Sequence, residues 1–363
     1  MRMVVSAGDP SGDVRTGELL EELNSISSVS VSGLGGRRMA RAGARILFDL
    51  DEYSVMGFTE VLTSLGRFIR LRRDMRRHIE DVSPDALLLV DYPGFNIPLA
   101  RWAGDRGIRV IYYISPQLWA WGEGRAAGIR ESVDLMITLF EFEVDFYRKH
   151  GVRAKWAGHP LVDSIPEPLE PVLSGRIALL PGSRAQEVGR LLGPMTGAYN
   201  ILRDRGSVTG ARVAVAPGVP SEAYGEHLSH KGVRAVPSVR EALDGAAAAV
   251  VCSGTATLET SMWGVPFVIT YRTSWLTYHL ARLLVRGVSR IGMANLVAGE
   301  DFAEELIQDR AKPWNIALGI EPLMVRGERR DRVLEGMSRV RAALGAPGSS
   351  RRAAEMILEE IEA

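Results

Sequence analysis

The sequence predicts an α/β protein of two doubly wound domains facing a cleft, and three observations carry that prediction. Short, almost wholly apolar strand candidates alternate with helical stretches through the first half, the pattern of a parallel sheet covered on both faces. A proline-rich passage, Ser164-Ile165-Pro166-Glu167-Pro168-Leu169-Glu170-Pro171, interrupts the alternation before it resumes at Ile177, and reads as an interdomain linker. In the second half, two apolar strands break into small-residue turns that open helices. The expected division is residues 1–164, rejoined by a C-terminal helix within 345–363, and residues 165–344.

In order, Met3 to Ser6 reads as a strand, Val14 to Leu23 as a helix and Val29 to Ser32 as a strand. Ala86 to Val90, Arg109 to Ile114 and Leu135 to Leu139 read as further strands. Ligands of such sheets bind beyond the carboxyl ends of the strands. Ala7-Gly8-Asp9-Pro10-Ser11-Gly12-Asp13 follows the first strand, and Gly33-Leu34-Gly35-Gly36 is expected as the loop after the second. Neither has the lysine of a Walker loop or the full dinucleotide spacing. Gly8, Ser11, Gly12 and Asp13 fit a close ligand approach, and Ser11 or Asp13 fits a helix cap equally well. Asp91 ends the Ala86–Val90 strand ahead of Tyr92-Pro93-Gly94-Phe95-Asn96. It reads as a general base whose pKa apolar neighbours raise, or as the residue that starts a turn before Pro93.

The second half holds the two phosphate-type junctions. Ile177 to Leu180 runs into Pro181-Gly182-Ser183-Arg184, followed by helical spacing through Val188, Leu191 and Leu192. Gly182 and Ser183 shape the loop, and the planar fork of Arg184 matches phosphate oxygens; the plain alternative is a surface arginine after a turn. Val250-Val251-Cys252 runs into Ser253-Gly254-Thr255, where free N–H groups at the positive end of a helix suit a diphosphate. Glu259, four residues beyond Thr255, shares its helical face and reaches a ribose, or else lies on a solvated face.

Composition bounds the partners. The 363 residues carry 46% apolar content and a formal net charge of +0, so no global field favours nucleic acid. The single cysteine, Cys252, permits no intrachain disulfide and fits a reducing cytoplasm. No apolar run approaches the roughly 18 residues of a membrane span. No His-x-x-x-His or Cys-x-x-Cys cluster is present, so neither metal nor cofactor is expected.

A set of motifs then falls in one order: Ser11-Gly12-Asp13, Met56-Gly57-Phe58-Thr59-Glu60-Val61-Leu62, Asp91-Tyr92-Pro93-Gly94-Phe95-Asn96, Ser115-Pro116-Gln117-Leu118-Trp119-Ala120-Trp121, Gly158-His159-Pro160-Leu161-Val162-Asp163, Leu180-Pro181-Gly182-Ser183-Arg184 and Ser253-Gly254-Thr255-Ala256-Thr257-Leu258-Glu259. Together they resemble the lipid-A-disaccharide synthase family. The resemblance implies two doubly wound Rossmann-like domains, the GT-B glycosyltransferase fold, and an inverting, metal-independent transfer. The donor would be UDP-2,3-diacylglucosamine and the acceptor the 6-hydroxyl of 2,3-diacylglucosamine 1-phosphate, giving a β-1,6 disaccharide and UDP. By position Asp91 resembles the family's essential aspartate, and Arg184, Glu259 and Asn295 its nucleotide-side residues. Met56, Glu60, Asn96, Gln117, Trp119 and Arg125 fall to the acceptor side. His159 is a second base candidate or a core histidine. Two departures stand out: Gly122 replaces the usual arginine after Trp-Ala-Trp, and Met293-Ala294-Asn295-Leu296 replaces Leu-Pro-Asn-Leu. A UDP-N-acetylglucosamine 2-epimerase or a non-catalytic UDP-sugar binder are the competing readings.

Acylated sugars live in a membrane, so a cytoplasmic chain must attach peripherally to the inner membrane. In Arg67 to Ile79, Phe68, Leu71, Met75 and Ile79 form one helical stripe among six arginines and one aspartate. The segment fits an anionic membrane surface, or a helix packed on its own sheet. Trp275, Leu276, Tyr278, Leu280, Leu283 and Leu284 form a second apolar group that faces acyl chains or the core. Oligomeric state stays open, with a homodimer among the alternatives.

Overall fold

The computed structural model describes residues 1–53, 58–170, 172–274, 278 and 290–363. Packing separates two units: Met1–Asp163 together with Gly345–Ala363, and Ser164–Leu344. The first runs β1 (Arg2–Ala7), α1 (Pro10–Ile26), β2 (Ser30–Gly35), α2 (Arg37–Arg41), β3 (Arg45–Asp49), α3 (Leu50–Tyr53), α4 (Phe58–Val82), β4 (Ala86–Val90) and α5 (Pro93–Gly104). It continues through β5 (Val110–Tyr113), α6 (Leu118–Trp121), α7 (Ala126–Arg130), β6 (Leu135–Thr138), α8 (Glu141–Lys149), β7 (Ala154–Trp156) and α9 (Leu161–Ser164). The second runs β8 (Arg176–Leu180), α10 (Ala185–Asp204), β9 (Gly210–Ala214), β10 (Val233–Val236), α11 (Val239–Leu243), β11 (Ala248–Cys252) and α12 (Thr255–Trp263). Then come β12 (Phe267–Tyr271), α13 (Met293–Ala298), β13 (Glu305–Ile307), α14 (Pro313–Ile320) and α15 (Glu328–Ala343), before α16 (Ser349–Glu362) returns to the first unit.

Among the described residues the first sheet has seven strands in the order β3-β2-β1-β4-β5-β6-β7, and the second has six in the order β10-β9-β8-β11-β12-β13. Every pairing is parallel. Each sheet starts at an inner strand, winds outward and crosses back, so the order reverses between β1 and β4 and between β8 and β11. Ligand sites form beyond the carboxyl ends of strands at such switch points.

Alternate strand residues face opposite sides of a sheet. Val4, Leu87, Leu89, Tyr112 and Met136 pack with Leu71, Met75 and Ile79 of α4. Met3, Val5, Leu88, Val90, Ile111 and Tyr113 pack with Leu19, Leu20 and Leu23 of α1 and with Ala353, Ala354 and Ile357 of α16. Asp163 fixes α16 in place, its carboxylate accepting from the backbone N–H groups of Gly348 at 2.5 Å and Ser349 at 3.0 Å and from the Ser349 hydroxyl at 2.7 Å.

Two expectations need correction. Gly33, Leu34 and Gly35 continue β2 rather than forming a loop. Gly33 sits at φ 147°, and a Cβ there would lie 2.1 Å from the Val5 carbonyl, so β1 presses on a residue that has to be glycine. The apolar stripe of α4 does not face lipid: Leu71, Met75 and Ile79 are core residues, each worth about 1.5–3 kcal/mol of burial that the fold does not release. The proline-rich passage begins where the two units divide, and it is tied down rather than free. The Leu169 N–H donates to the Trp263 carbonyl at 2.9 Å, and Arg341 donates to the carbonyls of Ile165 at 3.2 Å and of Pro166, holding the passage on the second unit. Trp275, Leu276, Leu280, Leu283 and Leu284 lie outside the described residues.

Candidate active site

Asp91 follows the fully buried strand β4 at the first switch point. It and Tyr92 both adopt left-handed backbone conformations, φ 43° and 49°, and Ile114 at the end of the adjacent β5 does so at φ 62°. Such conformations are costly for residues other than glycine and are held by their surroundings. Here the clamp is visible: the Asp91 N–H donates to the Tyr113 carbonyl at 3.1 Å, and the Asp91 carbonyl accepts from Tyr112 Oη at 2.6 Å and from Asn96 Nδ2 at 2.8 Å. Asn96 is fully buried, and its amide also donates to the carbonyls of Ser6 and Val90 while its Oδ1 accepts from Ser6 Oγ. The sequence placed Asn96 among the acceptor residues; the structure makes it the bracket that shapes the Asp91 turn.

The Asp91 carboxyl is pushed up to about 6, first by burial and then by the negative charge of Asp9, with the Tyr92 N–H pulling the other way. Asp9 was not singled out from the sequence. It also caps α1, accepting from the Gly12 N–H at 2.7 Å and the Ser11 hydroxyl at 2.8 Å, so Ser11 and Gly12 serve the cap. Asp13 caps a different helix: it accepts from the N–H groups of Gly36, Arg38 and Met39 at the start of α2. Gly8 is needed for space, since a Cβ there would lie 1.9 Å from the Tyr92 ring.

A cavity of about 280 Å³ opens at this strand end, lined by Asp91, Pro93, Ile114, Ser115, Gln117, Leu139, Phe140 and Glu143. Gln117 is exposed at its wall, and Trp119 reaches Glu143, its Nε1 donating to Oε1 at 3.0 Å. Glu143 is buried, and that burial pushes its carboxyl up to about 7 against hydrogen bonds that favour the charge, the Trp119 one foremost. Its sequence signal is a glutamate three residues after the N-cap of α8, obscured because the N-cap is Phe140 rather than serine or threonine. Arg125 stands exposed at the N-cap of α7. Met56 lies outside the described residues, and Glu60 falls in α4 with no side chain described.

His159 differs from Asp91 in the direction of its shift. It is buried beside the Phe140 ring, with Nδ1 accepting from the Leu161 N–H at 3.1 Å. Burial, and then Arg15, push its pKa down to about 3, leaving a neutral ring that turns the chain into α9. At neutral pH Asp91 is the stronger proton acceptor of the two.

The second switch point joins β8 and β11. After β8, Gly182 adopts φ 116° and the Glu187 carboxylate folds back over the loop. It accepts from the N–H groups of Ser183 at 3.0 Å and Arg184 at 3.3 Å, while the Arg184 guanidinium pairs with it at 3.0 Å and stays 78% exposed. After β11, Ser253 is tied by its N–H to the Thr270 carbonyl and by its hydroxyl to the Ile291 carbonyl. Gly254 then takes φ 131°, and among the described residues no side chain caps the start of α12. Thr255 is exposed there, and Glu259 lies one turn on, half-buried. Asn295 is fully buried: it donates to the Ala303 carbonyl at 2.7 Å and to Glu305 at 3.1 Å and accepts from the Ala303 N–H at 3.0 Å. It therefore braces the chain behind α12 in place of pointing to a ligand.

A larger cavity, about 680 Å³, lies in the second unit among Phe267, Val268, Glu304, Arg310, Arg329 and Arg332. It sits at the starts of β12 and β13, the wrong strand ends for this fold's ligands, and Glu304 there is paired with Arg310 and Arg329.

Two parallel α/β sheets, one with an acid at its switch point and the other with anion-type loops, make a protein of the two-domain GT-B plan. The fold recurs in solved structures. The chain matches the MurG of Acinetobacter baumannii with a TM-score of 0.58 and 15% identity, covering 99% of both chains. It matches the UDP-GlcNAc 2-epimerase of Neisseria meningitidis with a TM-score of 0.65 and 12% identity, covering 99% of this chain and 100% of that one. Fold alone thus does not separate a transferase from an epimerase. Sequence does: the lipid-A-disaccharide synthetase family model matches residues 3–361, and the chain belongs to that family. It is 36% identical to the lipid-A-disaccharide synthase of Myxococcus xanthus and 37% identical to that of Geobacter metallireducens, in each case over 99% of this chain and 97% of the relative. Lipid A disaccharide synthesis is its function. Among the described residues no helix is long and apolar enough to cross a membrane.

Proposed function

We propose that the chain transfers 2,3-diacylglucosamine from UDP-2,3-diacylglucosamine to the 6-hydroxyl of 2,3-diacylglucosamine 1-phosphate, with inversion. The observation that carries the reading is Asp91: a carboxylate at a switch-point strand end, beside a cavity, with its pKa pushed up to about 6. At neutral pH it is mostly ionised, yet a far better base than a solvated aspartate. It takes the proton of the 6-hydroxyl as that oxygen bonds to the donor's anomeric carbon. The bond from that carbon to the UDP oxygen breaks, and its electron pair leaves with UDP. The positive end of α12 and the Arg184 guanidinium supply potential for the departing diphosphate, with Glu259 placed for the ribose. His159 is left to structure, and no metal or cofactor is part of this reading.

The same reading puts the chain at the cytoplasmic face of the inner membrane. With its apolar stripe used internally, α4 offers Arg67, Arg70, Arg73, Arg77 and Ile69 on its exposed side. At about 1 kcal/mol per basic residue near an anionic leaflet, that face suffices for reversible attachment. One copy of the chain is enough for the chemistry; a homodimer would show as a doubled mass on sizing. The test is incubation of the protein with both acylated sugars. Disaccharide 1-phosphate and UDP appearing in equal amounts support the reading; unchanged donor, or an epimerised UDP-sugar, overturns it.

A further inference from the structure

The cavity beside Asp91 holds two polar groups that the proposed chemistry does not use. Ser115 follows β5, is 5% exposed, and its Oγ has no hydrogen-bond partner among the described residues. Its hydroxyl stands toward the Glu143 carboxylate, whose charged form it favours as a side-chain donor without closing a well-formed hydrogen bond. Glu143 is 2% exposed, and its two oxygens accept one N–H each, from Trp119 Nε1 at 3.0 Å and from the Phe140 backbone at 3.2 Å. An ionised carboxylate has about four acceptor sites, so capacity remains where Glu143 lines the cavity. A buried hydroxyl without a partner next to a buried carboxylate with spare acceptor sites is costly to the free protein and poised for a ligand.

We infer that Ser115 and Glu143 form a hydroxyl-binding pair that holds the 4-hydroxyl of the acceptor sugar. The inference rests on the acceptor assigned above and follows from what that pair accepts. A ligand group that engages the serine O–H and the carboxylate together accepts from the first and donates to the second. Ester carbonyls and the 1-phosphate only accept, and an amide N–H only donates. A sugar acylated at positions 2 and 3 and phosphorylated at position 1 keeps two ring hydroxyls, on carbons 4 and 6. The 6-hydroxyl is the attacking group at Asp91, which leaves the 4-hydroxyl, on the neighbouring ring carbon. The Trp119 indole, donating to Glu143, sets the direction of the remaining lone pairs. Ser115 and Glu143 thereby orient the ring, and with it the attacking oxygen.

The test pairs a 4-deoxy acceptor with the natural one, measuring kcat/KM for each with the wild type, Ser115→Ala and Glu143→Gln. The wild type should lose about 10–150-fold on the 4-deoxy acceptor, the range for a hydrogen bond to a charged group. That loss should shrink by about threefold or more in Ser115→Ala and nearly vanish in Glu143→Gln, with UDP affinity unchanged in both. Ser115→Ala leaves the bonds from Trp119 and Phe140 to Glu143 in place, so it guards against a folding defect from disturbing the start of α8 in the other variant. A wild type indifferent to the 4-hydroxyl, or a 4-deoxy penalty equally large in both variants, overturns the inference. Absence of disaccharide from the natural pair with the wild type would instead overturn the functional reading, and this inference with it.

Discussion

The two switch points share a topology and differ in almost everything else. At β1/β4 the strand end is over-determined: Asp91 is bent into a left-handed turn, gripped by Asn96, Tyr112 and Tyr113, and shielded enough that its carboxyl titrates near 6. At β8/β11 the loops are open, Arg184 is largely in solvent, and the start of α10 is covered by Glu187 from its own first turn. A proton acceptor works by being fixed and partly desolvated before the substrate arrives. A diphosphate site must take up and let go of a highly charged group each cycle, and an accessible helix start beside a loop whose N–H groups a carboxylate already holds suits that exchange.

Asp91→Asn keeps the shape and removes the base, so turnover should fall by about 10²–10⁴-fold while UDP binds as before. Steady-state kinetics beside calorimetry with UDP checks it; loss of UDP binding as well would make Asp91 a residue that organises structure. Arg184→Ala and Glu259→Ala should each weaken UDP by about 1.5–3 kcal/mol without lowering the melting temperature. Wild-type affinity in both would move the nucleotide elsewhere.

The same Asp91→Asn variant probes stability. The folded carboxyl titrates near 6, above its ordinary value of 3.8, so its protonated form is the one the fold favours. That contribution is full below pH 3.8 and is lost as pH rises through 6. Asparagine carries no such penalty, so the variant should gain on the wild type between pH 4 and pH 8 by up to about 3 kcal/mol. Denaturant melts at the two pH values read the difference, and an unchanged gap would mean that Asp91 is solvated. The smallest effect belongs to the other switch point. Glu187→Ala uncovers the Ser183 and Arg184 N–H groups and frees the guanidinium, so UDP should bind a few-fold tighter while α10 loses about 1 kcal/mol of capping. Weaker UDP binding in that variant would make Glu187 a support of the loop rather than a competitor for it.

The fold was legible because both sheets are parallel and covered on both faces: strands such as Ala86–Val90 and Ala248–Cys252 are unbroken apolar runs, each ending at a polar or glycine-containing turn. What sequence could not resolve was who bonds to whom. Asn96 and Asn295 look like ligand contacts on paper, and only three-dimensional partners reveal them as braces for backbone turns. Asp9 and Asp13 lie four residues apart, yet one caps the helix it opens and the other reaches across to α2, a long-range bond that local spacing does not encode. The α4 stripe has a period that would serve a bilayer or a sheet alike, and the core claimed it. Ser115 and Glu143 escaped notice because their interest lies in burial and in missing partners, neither of which is written in residue type.

The proposed base, Asp91, has its carboxyl pushed up to about 6 by burial and by Asp9. The pH dependence of kcat/KM for the acceptor tests that role most directly, since that profile reports the essential base of the free enzyme. The profile should rise from acid pH to a plateau with a midpoint about 6, and the residual activity of Asp91→Asn should show no such limb. A wild-type profile already flat at pH 5, or an acid limb that survives in Asp91→Asn, would contradict that role.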